Sequence, residues 1–161
     1  VILPSGRNQL FLTGGETGAM LPVMLLFVMV ALLNGVALAF LRYGSILPLP
    51  TELLPSRVLG AAANALSEEL QFRSIVLGML LFAGVPTGWA IALQAFVYGL
   101  AHRRLWRDRD WYFLAGSVLL GWAAGVATVE TGSVIPAIVG HFAVTMSLFA
   151  FAGGRLRQRP I

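Results

Sequence analysis

Ser67-Glu68-Glu69-Leu70-Gln71-Phe72-Arg73 puts three charges into a run, Val58 to Val85, that carries no others. A charge inside a membrane-length segment costs about 2.5–3.5 kcal/mol on insertion scales. Three together are therefore read as a built site. On an α-helix Glu69 and Arg73 are an i,i+4 pair on one face and can neutralise each other. Glu68 is five residues from Arg73, about 140° round the helix. It is the carboxylate left over. The expectation is a supporting Glu69–Arg73 ion pair, with Glu68 as the working acid or base.

Composition sets the solvent around this stretch. Of 161 residues, 58% are hydrophobic and 11% charged, with a mean hydropathy of +0.82. A soluble domain carries about 25% charged residues, so the chain reads as an integral membrane protein. The expected fold class is all-α: a polytopic transmembrane helix bundle with about five spans. There are no cysteines, which excludes a disulfide framework and thiolate chemistry. All eleven basic residues are arginine and the net charge is +4. They cluster in short loops beside apolar spans, where orientation in the bilayer explains them better than nucleic acid does.

Taken in order, residues 1–57 read as an N-terminal loop (Val1 to Ala19), a first transmembrane helix (Met20 to Leu41) and a Pro-rich connecting loop (Tyr43 to Ser56). The N-terminal stretch lacks the basic n-region of a signal peptide, and the chain reads as an excerpt with one or more helices upstream. Residues 58–152 form the core. Its helices are expected at about Arg57–Phe82, Trp89–His102, Trp111–Val129 and Val134–Ala152, with turns at Ala83–Gly88 and Glu130–Ser133. The third helix looks short for a span. Residues 153–161 form a basic tail.

Five spans put Arg42, Arg57, the arginines of the Arg103–Arg109 loop and those of the tail on one side, nine against Arg7 alone on the other. Positive-inside logic makes the arginine-rich side cytoplasmic.

Two histidines join the glutamates. His141 and Glu68 both lie roughly 15 Å in from the cytoplasmic ends of their helices, at about 1.5 Å per residue, and can meet near mid-membrane. His102 looks shallower. Either histidine alone is an ordinary core residue, and Glu69–Arg73 alone an ordinary ion pair. Asn34 and Gln94 read as interhelical hydrogen-bonders and Tyr98 as packing. Gly78, Gly99, Gly116, Gly121, Gly125 and Gly140 read as close-packing points between helices. The functional reading comes from the set: a spare carboxylate and two histidines, each on a different span.

In this order the residues resemble the type II CAAX prenyl endopeptidase and bacteriocin-processing family, the CPBP or ABI glutamic intramembrane proteases. Glu68, Glu69 and Arg73 match its E-E-x-x-x-R motif. His102 meets F-x-x-x-H with Tyr98 in place of Phe, and His141 meets H-x-x-x-N with Thr145 in place of Asn. The resemblance covers about Ala61 to Phe151. It implies peptide hydrolysis by a glutamate-activated water in a site opening to the cytoplasm. Glu68 is then the general base, helped by His102. Glu69 and Arg73 hold the site's shape, and His141 and residue 145 stabilise the oxyanion. A threonine hydroxyl is shorter than an asparagine amide, and losing one oxyanion donor costs on the order of 10²–10³ in rate.

The resemblance implies no cofactor. A zinc protease is an alternative, since Glu and two His are also zinc ligands, but H-E-x-x-H is absent. A non-catalytic member serving immunity, scaffolding or partner binding is another. The expected partners are a peptide or membrane-protein substrate and the lipid bilayer. An arginine-only, compact chain looks bacterial, which places it in a bacterial plasma membrane.

Overall fold

The structure, a computed structural model, describes residues 6–47, 50–102 and 110–153, and it is all-helical apart from turns and loops among them. The Arg103–Arg109 loop and the arginines of the tail lie outside the described residues.

Helix α1 spans Thr17–Tyr43 and stops at Gly44, whose positive φ of 67 lets its N–H close on the Phe40 carbonyl. Gly18 and Ala19, expected in a loop, are already helical. The next helix begins with a short turn at Thr51–Leu53. It continues as α2, Leu54–Glu69, with Pro55 in the first turn, where its missing N–H costs nothing. The start lies one turn before the expected one. From Leu70 to Leu77 the chain winds as a π-helix, then returns to α geometry as α3, Gly78–Phe82. The junctions at Leu70 and Gly78 keep helical dihedrals, so the three pieces form one rod.

The π stretch was not expected. It sits directly after Glu69 and buries Arg73 and Ser74, and wide turns of this kind are frequent at functional sites. The 140° reckoned between Glu68 and Arg73 assumed α geometry, which ends at Glu69.

Helix α4 spans Thr87–Ala101. Its 15 residues reach only about 22 Å at 1.5 Å per residue. His102, expected as its last residue, has left helical dihedrals with ψ 54. Helix α5, Trp111–Thr131, is capped by Asp110, which accepts the Phe113 N–H, and ends at Gly132 with φ 67. Glu130 and Thr131, read as a turn, are therefore its last residues. Helix α6, Ile135–Ala152, has Pro136 in its first turn and is capped by Gly153.

Three helices, α1, α5 and α6, are long and apolar enough to cross a membrane, and α4 is apolar but shorter. The α2–α3 rod has the length for a span but carries the charges. The result is a helical membrane bundle.

Small residues set its packing. A Cβ on Gly35 of α1 would come within 2.8 Å of Ser147, and one on Gly140 within 2.6 Å of Phe27, so α1 and α6 touch nearly backbone to side chain. Gly121 and Gly125 of α5 face Ala95, Gln94 and Ile91 of α4, as the G-x-x-x-G spacing predicts. Two of the expected points differ: a Cβ on Gly78 would meet the Gln9 carbonyl at 2.8 Å, in the segment before α1 rather than on a helix, and Gly116 has nothing within 4 Å of an added Cβ.

The segment before α1 is irregular but packed. Phe11 reaches two core clusters, and its carbonyl accepts the Val134 N–H at 3.0 Å. The Ser133 hydroxyl donates to the Thr13 carbonyl at 2.7 Å. Gly15, φ 61, passes where a Cβ would meet the Thr131 carbonyl at 2.5 Å. At the opposite end, Arg42 pairs with Asp110 through both oxygens, one bond at 3.0 Å, and joins α1 to the start of α5.

Candidate active site

Glu69 and Arg73 sit one turn apart where the α-helix gives way to the π stretch. Arg73 Nε lies 2.9 Å from Glu69 Oε2 and neither side chain is exposed, which agrees with the ion pair read from the sequence. The contact is electrostatic rather than a well-aimed hydrogen bond, because the N–H does not point at the oxygen. The guanidinium also lies over the Tyr98 ring, 4.4 Å from its centroid. Cation–π attraction is strongest where water is excluded, as here.

Glu69 has a second partner. His141 Nδ1–H donates to Glu69 Oε1 at 2.8 Å. The acceptor is a carboxylate, so this nitrogen carries the proton and Nε2 is left facing the site. Nε2 is 3.9 Å from Glu68 Oε2. Glu68 and His141 thus meet as their depths predicted. Glu68 differs from its neighbour in access: its side chain is 27% exposed and Glu69's is fully buried. Glu69 is committed to Arg73 and His141, while Glu68 Oε2 has no hydrogen-bond partner among the described residues.

Tyr98, read as packing, is the hub of the aromatic contacts. Its ring meets His102 edge-on at 4.8 Å and His141 at 6.3 Å between centroids, and Phe72 at 5.0 Å. His102 is brought into the site by leaving the helix. Its Nδ1–H donates to the Tyr98 carbonyl at 2.8 Å, which leaves Nε2 as the free acceptor.

A cavity of about 620 Å³ runs between α1, α2, α5 and α6, and Tyr98, His102, His141 and Thr145 all line it. Its wall is mostly apolar. It extends past Asn34 and Phe149 toward Tyr112 and Phe113, the residues beside the Arg42–Asp110 pair. Thr145 makes no hydrogen bond among the described residues. Thr128 and Thr131 of α5, by contrast, bond back to carbonyls four residues earlier, at 2.8 and 2.7 Å. Threonine 145 therefore keeps its hydroxyl for the cavity.

Sequence reasoning passed over Asn64, which also lines the cavity. The available signal was its position one turn before Glu68, an amide within an alanine-rich stretch. Asn34, read as a hydrogen-bonder, accepts from the Tyr112 hydroxyl at 2.9 Å. Gln94 is fully buried between α4 and α5. Among the described residues no three His, Asp or Glu side chains converge as a metal-holding group.

Residues 50–147 match the family model described as type II CAAX prenyl endopeptidase Rce1-like. No curated protein matches the chain, and no solved structure does.

Proposed function

This chain belongs to the type II CAAX prenyl endopeptidase Rce1-like family, a protease family, and we propose that it is an intramembrane endopeptidase whose attacking water is activated by Glu68. The observation that carries the proposal is the division between the two adjacent glutamates. Glu69 is fully buried and committed to Arg73 and His141. Glu68 is partly open and faces His141 Nε2 across 3.9 Å. Two groups at that separation can share one water off the line between them.

Glu68 takes a proton from this water, and the hydroxide adds to the carbonyl carbon of the scissile bond. His102 orients the water through its free Nε2. His141, when protonated, donates from Nε2 to the oxyanion, with its ring fixed by Glu69 as a carboxylate fixes the histidine of a hydrolase triad. Thr145 offers a further hydroxyl from the cavity wall. Collapse of the intermediate returns the proton from Glu68 to the leaving amine. No metal takes part in this scheme.

The cavity leads from His141 toward the end of the bundle that holds Arg42 and Arg57, the arginine-rich side. Positive-inside orientation then makes the entrance cytoplasmic, in a bacterial plasma membrane. The substrate is a peptide or a segment of a membrane protein. Cleavage of a peptide library by purified protein tests the reading: wild type cuts, Glu68→Gln does not, and a chelator changes neither result.

A further inference from the structure

The family's third motif carries an amide at the position held here by Thr145, and this chain has an amide close by on the facing helix. Helices α2 and α6 pack antiparallel. Arg57 lies over the Phe149 ring, 5.2 Å from its centroid, and about three turns further along α2, Glu68 meets His141. In that register the residue one turn before Glu68 faces the residue one turn after His141. These are Asn64 and Thr145, and both line the cavity together with His141 and His102.

Asn64 has no hydrogen bond to another described residue, whereas Asn34 is engaged by Tyr112 and Ser67 by Gln71. Asn64 and Glu68 lie four apart on regular α-helix, so they share a face. We infer that the Asn64 carboxamide supplies, from α2, the amide donor that Thr145 does not provide on α6, and hydrogen-bonds the carbonyl oxygen of the bound peptide as it becomes an oxyanion. The inference rests on the endopeptidase reading above. The Asn64 N–H₂ group reaches further than the Thr145 hydroxyl. It stands on the same helix as the base, so donor and base are held in one rigid frame. A donor that strengthens its bond only as charge develops acts on kcat more than on KM.

The test uses the full chain in detergent or vesicles, a peptide from the library screen, and four proteins besides wild type. Wild-type cleavage with an inactive Glu68→Gln establishes the endopeptidase reading independently. Asn64→Leu, apolar and of similar size, should then lower kcat by about 10²-fold, the usual cost of one oxyanion donor. KM should stay within a few-fold and the melting temperature should not fall. Asn64→Leu with Thr145→Asn should recover most of the lost kcat, since it returns the amide from the other helix, and Asn64→Leu with Thr145→Val should fall further. Two results overturn the inference alone: an Asn64→Leu protein with wild-type kcat, or a loss that Thr145→Asn leaves unrepaired. A folded wild type that cuts no peptide overturns the endopeptidase reading, and the inference with it.

Discussion

His141 donates its Nδ1–H to Glu69 across the interface between α2 and α6, at 2.8 Å with both side chains almost wholly buried. The residue read as a partner for Arg73 is thus also the residue that orients an imidazole. One carboxylate ties together the arginine within its own rod and the histidine of another helix. Glu68 remains as the partly exposed carboxylate, 3.9 Å from the histidine's other nitrogen.

The two glutamates should respond differently to the same change. Glu69→Gln leaves Arg73 buried without a counter-charge, and breaking a buried pair in this way costs about 3–5 kcal/mol. Glu68→Gln removes a partly exposed carboxylate and keeps an amide oxygen that can still accept from the Tyr98 hydroxyl, so stability should change by less than about 1 kcal/mol. Thermal unfolding in detergent measures both. Equal melting of Glu69→Gln and wild type would contradict the structural role given to Glu69.

Tyr98 packs through its ring against Arg73, Phe72, His102 and His141. Tyr98→Phe keeps those ring contacts and loses only the hydroxyl's bond to Glu68, and phenylalanine is the residue of the family motif that His102 completes. It should fold normally and retain turnover within a few-fold. Tyr98→Ala should cost about 3–5 kcal/mol, as large-to-small core changes of aromatic residues do. Unfolding and steady-state rates of the pair check this.

The spans and the Glu69–Arg73 pair were legible because apolar length and i,i+4 spacing are local properties. So were the meeting of Glu68 with His141, from depth along two helices, and the Gly121/Gly125 contact, from small-residue spacing. The π stretch after Glu69 was not legible, since no residue type in Leu70–Leu77 demands it. The His141–Glu69 bond depends on helix rotation, which apolar helices signal poorly because nearly every face is hydrophobic. Asn64 was missed for the same reason: its importance appears only once α6 is laid against α2. Nor could the sequence show that the segment 6–16 packs against the turn joining α5 to α6, because its hydrogen bonds pair residues about 120 positions apart.

Thr145 leaves its hydroxyl unbonded among the described residues, unlike Thr128 and Thr131. Thr145→Val should therefore lower turnover, by up to about 10-fold, with unchanged melting, because it removes a group that stabilises the transition state. Thr145→Asn should raise turnover with little change in KM. A Thr145→Val enzyme with wild-type kinetics would show that the hydroxyl serves no substrate.

The nine-to-one distribution of arginines predicts that the loop 103–110 and the C-terminus face the cytoplasm. Reporter fusions after Arg109 and after Ile161 should both give cytoplasmic signals. A periplasmic signal from either fusion would reverse the orientation proposed for the cavity entrance.

The most direct test of the account is the rate at which purified Glu68→Gln protein cleaves a peptide that the wild type cleaves, measured with and without a chelator and alongside the melting temperature. The account predicts wild-type cleavage insensitive to the chelator. It predicts no detectable turnover by Glu68→Gln, at an unchanged melting temperature. Turnover by Glu68→Gln at the wild-type rate, or loss of wild-type activity on chelation, would contradict it.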